Sequence, residues 1–242
     1  MNLRRYGTAP FRVAVIHGGP GAGGEMAPVA CRLAEKHGVL EPIQTANSVQ
    51  GQVEELPDVL LSNATTPVVL VGFSWGAWLS VLLGSKCPEL VGKIIWVSSG
   101  ASGEAYVADL SSRRLSRLPE VERAEFLAAM AGLDDPDVRE KDTLLSRLGR
   151  LASKADSYAP IDDAEEPRTT PLSGEIYRQV WGEAAEMRRT GALLDHARNP
   201  AGPVVAIHGD SNPSLAAGVS ELLSANLADF RFVLLAKCGH TP

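Results

Sequence analysis

The stretch Pro67-Val68-Val69-Leu70-Val71-Gly72-Phe73-Ser74-Trp75-Gly76-Ala77-Trp78-Leu79 decides the fold. Pro67 to Gly72 is apolar at successive positions, as a parallel strand covered on both faces must be. From Trp75 to about Lys86 the chain is rich in Ala, Leu and Trp, and Pro88 stops it. That segment reads as a buried helix. A buried strand running straight into a buried helix is the unit of a parallel sheet with crossover connections.

The same unit recurs on both sides. Upstream, Phe11 to Ile16 is an apolar run that ends at His17-Gly18-Gly19-Pro20-Gly21. From about Glu25 to Lys36, Met26, Val29, Ala30, Leu33 and Ala34 fall on one helical face, and Gly38 ends the segment. Val39 to Thr45 is a strand candidate weakened by Pro42. Downstream, Lys93 to Ser98 is the next strand.

Strand signals then stop from Ala101 to Asn199. Leu144, Leu145, Leu148 and Leu151 mark one helical stripe, and Ile176, Val180, Trp181, Ala184 and Met187 another. An acidic, proline-bearing loop, Ala159 to Pro167, separates them. Two strands return at Pro203 to Ile207 and Phe230 to Leu235, joined by a helix from about Pro213 to Leu227. The expectation is an α/β fold: a mostly parallel sheet with flanking helices, residues 1–100 and 201–242, interrupted by a helical insertion, 101–200.

Composition narrows the function. The 242 residues are 45% hydrophobic, enough for a sizeable core. Lys and Arg number 23 against 29 Asp and Glu, a net charge of −6. This argues against a nucleic-acid partner, which needs a basic face, and against a basic membrane anchor. Cys31, Cys87 and Cys238 are too few and scattered for a disulfide framework or zinc cluster. The start, Met1 to Tyr6, is not followed by the apolar run of a signal peptide, and no stretch is long and apolar enough to span a bilayer. A cytoplasmic protein with a small-molecule substrate is the expectation.

Three polar signals stand where open α/β sheets place their ligands, at strand C-terminal ends. Gly72-Phe73-Ser74-Trp75-Gly76 matches G-x-S-x-G, the nucleophile elbow. Its glycines permit a strained turn, and Ser74 projects above the N-terminus of the following helix, whose N–H groups favour a developing oxyanion. The glycine cluster after Ile16 lets the Gly19 N–H join that of Trp75 in an oxyanion hole, with His17 bracing the loop. Cys238-Gly239-His240 follows the last strand and offers a general acid/base. Such a site needs neither metal nor organic cofactor.

With these three loops the chain resembles an α/β-hydrolase of the proline iminopeptidase-like branch. The resemblance covers nearly the whole chain, although only the loops are specific. It implies a cap formed by the insertion, with a pocket between cap and sheet. It also implies that Glu183 or Glu186 could hold a substrate amine, against the plainer reading of a solvated helix face.

Two features depart from that pattern. The family's triad acid lies three residues after the glycine that closes the penultimate strand. Here Ala206-Ile207-His208-Gly209-Asp210-Ser211-Asn212 puts Asn212 in that slot. Either the triad is impaired or another carboxylate serves, with Asp210 and Glu104 the alternatives. The chain also stops at Thr241-Pro242, just after His240, which leaves Phe232 and Leu234 to be exposed or to pair with a second copy in a homodimer, or marks a truncated product. Little chain precedes Phe11, so the family's first two strands are expected to be absent or degenerate.

Two rivals remain. Gly19-Pro20-Gly21-Ala22-Gly23-Gly24 also fits G-x-G-x-x-G, with Glu41 near the spacing of a ribose-binding acid, although Pro20 removes a donor from any phosphate cradle. A ligand-binding protein without catalysis is the other, prompted by Asn212.

Overall fold

The computed structural model describes residues 2–100, 105–160, 170–200 and 202–242. Among them, seven strands form one sheet: β1 Asn2–Tyr6, β2 Phe11–Ile16, β3 Gly38–Ile43, β4 Val68–Phe73, β5 Val91–Val97, β6 Val204–Gly209 and β7 Phe230–Leu235. Their order is β1-β3-β2-β4-β5-β6-β7. Of these strands only β1 runs antiparallel, with Asn2 opposite Ile43 and Tyr6 opposite Val39. The other pairs are parallel, so the C-terminal ends of β2 and β4 to β7 share one edge.

A strand therefore forms in the short leader that the sequence reading left without one. Arg4 and Tyr6 alternate onto one face of β1 and meet Glu41 of β3. The Tyr6 hydroxyl donates to Glu41 Oε2 at 2.7 Å and Arg4 Nη1 lies 3.7 Å from the same oxygen. β3 is an interior strand despite Pro42. Its pairing with β2 ends at Ala14 opposite Leu40, so no β2 residue stands opposite the proline.

Helices α1 Ala27–Leu33, α2 Val49–Asn63, α3 Trp75–Lys86 and α9 Ala216–Asn226 flank the sheet. Every residue of α3 from Trp75 to Gly84 is buried. The central core joins Ile16, Leu70, Leu79, Leu83, Ile94 and Trp96 from strands and α3.

Between β5 and β6 lie α4 Ala105–Ser116, α5 Glu120–Asp134, α6 Lys141–Asp156, α7 Gly174–Thr190 and α8 Ala192–His196. The first three have their own apolar centre in Leu118, Phe126, Leu133, Leu145, Leu148 and Leu151. Val180 and Ala184 of α7 and Leu193 of α8 instead join the central core. The insertion is thus anchored on the sheet side through α7. On the opposite edge, β7 leaves Leu234 53% exposed, while Phe232 is half-buried.

Candidate active site

Ser74 occupies the turn between β4 and α3 with φ 51° and ψ −112°. A positive φ in a residue with a Cβ is strained and persists only where its surroundings fix it. They do so here. The Ser74 N–H donates to the Val97 carbonyl at 2.9 Å, and the Ala77 N–H returns to the Ser74 carbonyl at 3.2 Å. A side chain at position 72 would stand 2.5 Å from Ser80 Oγ, and one at position 76 would stand 2.5 Å from the His17 carbonyl oxygen. The two glycines are therefore required by contact. Ser74 itself is half-buried.

The glycine loop after β2 lies against this turn, since a Cβ at Gly18 would come within 3.2 Å of Ser74 Cβ. His17 is wholly buried. Its Nε2 accepts the Gln44 N–H at 3.3 Å, which leaves Nδ1 to donate to the Gly18 carbonyl at 3.2 Å. The Gly18 N–H is held by the Glu25 carboxylate. The next amide, Gly19 N–H, has no acceptor among the described residues. Trp75 N–H, at the first helical position of α3, has no intrahelical acceptor. The Trp75 side chain is fixed by its Nε1–H on Gln52 Oε1 at 2.8 Å and by the Trp181 ring at 5.5 Å.

His240 lies with its ring 5.0 Å from that of Phe73, the residue before Ser74. Ser74 Oγ and His240 are not hydrogen-bonded to each other directly. The His240 N–H donates to the Asp156 carbonyl at 2.9 Å, so the end of α6 holds the histidine loop. Arg117 ties the same helix end to the neighbouring loop, with bonds to the Ala155 carbonyl at 3.1 Å and the Ser211 carbonyl at 2.9 Å. Arg114 grips the nearly buried Asp156 carboxylate at 2.7 and 2.5 Å.

Asn212 is 3% exposed and touches His240 directly. Its Oδ1 accepts the Ser214 N–H at 3.0 Å, and its Nδ2 lies 3.1 Å from His240 Nδ1. Burial pushes the His240 imidazole down to about 4. The Asp156 charge works against that shift, while Arg114 and His208 add to it. The ring is therefore neutral at physiological pH.

Asp210 is not brought to the ring. Exposed, it accepts the Cys238 N–H at 3.3 Å and the Ser211 hydroxyl at 2.9 Å. Backbone donation from Lys237 and the Ser211 hydroxyl hold its carboxyl below the usual range. It braces the β7–His240 turn. Glu104 lies outside the described residues.

Glu183 is tied to the core, accepting the Val49 N–H at the start of α2 at 2.7 Å. Glu186 is exposed and paired with Arg189. Glu183 thus serves a helix N-terminus and Glu186 a neighbouring guanidinium. Glu41, the ribose-binding candidate, is 0% exposed beneath β1. The Gly21 end of the glycine loop is likewise tied to the insertion, its carbonyl accepting the Ser173 N–H at 2.9 Å. The dinucleotide reading fails on both counts.

Sequence reasoning missed the Arg114–Asp156 pair and Ser214, which meet the site only through the tertiary path. It also missed Gln52, although Val49, Val53, Leu56 and Leu60 carry the helical spacing of α2.

The alpha/beta hydrolase family profile matches residues 13–242. The chain belongs to the alpha/beta hydrolase family. The match is to the family as a whole and does not single out the proline iminopeptidase-like branch. Curated proteins yield no match. Among solved structures, this alpha/beta hydrolase is similar to an E-2-(acetamidomethylene)succinate hydrolase, with 18% identity, TM-score 0.63, and 98% and 87% of the two chains covered. It is also similar to a putative non-heme bromoperoxidase of Mycobacterium tuberculosis, with 18% identity, TM-score 0.62, and 99% and 88% covered. A serine-to-alanine mutant of a meta-cleavage product hydrolase from Pseudomonas fluorescens, complexed with acetates, has 17% identity, TM-score 0.60, and 99% and 86% covered. These likenesses concern the fold. Among the described residues, no helix is long and apolar enough to cross a membrane.

Proposed function

We propose that this chain is a serine hydrolase that cleaves a small ester through an acyl-enzyme on Ser74. The observation that carries this reading is Ser74 held at φ 51° above the N-terminus of α3, against the glycine loop at Gly18. Ser74 Oγ attacks the ester carbonyl carbon and its proton passes to His240 Nε2. The carbonyl oxygen, now an oxyanion, takes the Gly19 and Trp75 N–H groups, each donor worth about 3 kcal/mol in the transition state. The protonated ring then donates to the departing alkoxide. Water, deprotonated by the same nitrogen, releases the acid product and restores Ser74. Hydrolase activities among the structural neighbours support a hydrolase in general.

An ester suits the site better than an N-terminal amine substrate, because Glu183 is bound to the α2 backbone and Glu186 to Arg189. The direct test is labelling by a fluorophosphonate. Wild-type protein should take up one equivalent of the probe on the Ser74 hydroxyl, and Ser74→Ala should not react. Unlabelled wild-type protein would defeat the proposal.

A second reading, a weakly catalytic ligand binder, is favoured by one observation. Asn212 presents a donor to His240, where efficient general base catalysis needs an acceptor.

A further inference from the structure

The direction of each hydrogen bond behind His240 is fixed by chemistry. The Ser214 N–H can only donate, so the Asn212 atom 3.0 Å from it must be Oδ1. The amide's other atom, Nδ2, can only donate, and it faces His240 Nδ1 at 3.1 Å. Nδ1 must therefore accept. In a neutral imidazole the proton then resides on Nε2. Ser214 is itself held from the other side, where His208 Nε2 donates to its carbonyl at 2.8 Å. Turning the Asn212 amide over would set two donors against each other and leave a buried Ser214 N–H unpaired, a mismatch that disfavours the flipped amide.

The opposite edge of the ring thus carries N–H, and catalysis draws on the minor tautomer in which that proton sits on Nδ1. The other groups assigned to the site can donate as well: the Ser74 hydroxyl, the Gly19 N–H and the Trp75 N–H. A serine hydrolase with a carboxylate in the acid slot has an acceptor at Nε2, which repels an anion in the same place. We infer that this site receives a carboxylate monoanion. One oxygen would be held by Gly19 and Trp75 N–H, the other by Ser74 Oγ–H and His240 Nε2–H. Asn212, Ser214 and His208 are positioning residues that set the tautomer. The inference rests on the proposed reading of Ser74, His240, Gly19 and Trp75 as one site. It adds a consequence to that reading: the acid released from an ester is the ligand the resting site holds best, so turnover is limited by its product.

The test pairs acids with neutral isosteres. Acetate, butyrate, benzoate and phenylacetate, each against its primary amide, are titrated into the full-length protein by calorimetry at pH 7. The expected result is at least about tenfold tighter binding of one or more acids than of the matching amides in wild type. In Asn212→Asp, whose carboxylate would hold Nδ1–H and turn Nε2 into an acceptor, that preference should vanish or reverse. Should the variant fold poorly, ¹⁵N NMR of wild-type His240 reads the tautomer directly, with His240→Gln assigning the signal. A proton on Nε2 supports the inference. A proton on Nδ1, equal affinity for acid and amide, or no binding of any acid overturns it. Failure of the hydrolase reading looks different: no fluorophosphonate label on Ser74, with the acid preference intact.

Discussion

Asn212 Nδ2 stands 3.1 Å from His240 Nδ1 and donates to it, so the residue that orients the histidine does so with the opposite polarity from a carboxylate. An amide there cannot offset the charge of an imidazolium, and the burial that holds His240 down at about 4 goes uncompensated on that side.

The first prediction concerns pH. kcat/KM reports the free enzyme's base. Neutral His240 persists until pH falls to about 4, so the acid limb should lie there and not near the ordinary histidine value. The charged and titratable neighbours set the sign of each variant. Removing the Arg114 cation favours imidazolium and moves the limb up, whereas Asp156→Asn moves it down. Burial also holds the His208 imidazole below its ordinary value. An ester assay from about pH 3.5 to 8 gives the answer, and a limb at the ordinary histidine value of about 6.5 would contradict it.

The second concerns the Arg114–Asp156 pair. Its carboxylate is 7% exposed and gripped at two points, so Arg114→Met strands a buried charge and should cost about 3 kcal/mol in stability. Because the Asp156 carbonyl also holds His240 N–H, kcat should fall with stability. Urea melts and steady-state rates on the same preparation check both. An unchanged melt would mean the pair is solvated.

The third separates structure from specificity. Glu183→Ala removes the acceptor for Val49 N–H and should cost about 1 kcal/mol, as lost helix caps do. KM for an aryl ester should stay within about twofold, because the carboxylate faces a helix end and not a substrate. A large KM rise confined to N-terminal-proline amides would reinstate the amine-binding role.

Most of the fold was legible where one local signal sufficed. β2, β4, β5, β6 and β7 are apolar runs, and Gly72 and Gly76 mark the elbow by spacing alone. β1 was not legible, because Arg4 and Arg5 look like a polar leader until Arg4 stands opposite Glu41 of β3 and Arg5 reaches Asn63 of α2. α2 was obscured by Gly51 and Pro57, although its buried positions keep helical spacing around them. The position of Asn212 followed from the family resemblance, but its polarity toward His240 did not. That depends on Ser214 N–H taking Oδ1, a contact made only once the loop is folded. The Arg114–Asp156 clamp joins residues of α4 and α6 and had no sequence signature.

The most direct test is kcat/KM on one activated aryl ester for wild type, Asn212→Asp and Asp210→Asn. The carboxylate introduced by Asn212→Asp would accept both the Ser214 N–H and a His240 Nδ1–H, placing the Nε2 lone pair toward Ser74. In serine proteases the reverse exchange lowers turnover by about 10⁴, which bounds the gain. The account predicts a rise of at least about a hundredfold in Asn212→Asp, and no loss in Asp210→Asn, whose carboxylate only braces a turn. A flat or lower rate in Asn212→Asp together with a collapse in Asp210→Asn would contradict it.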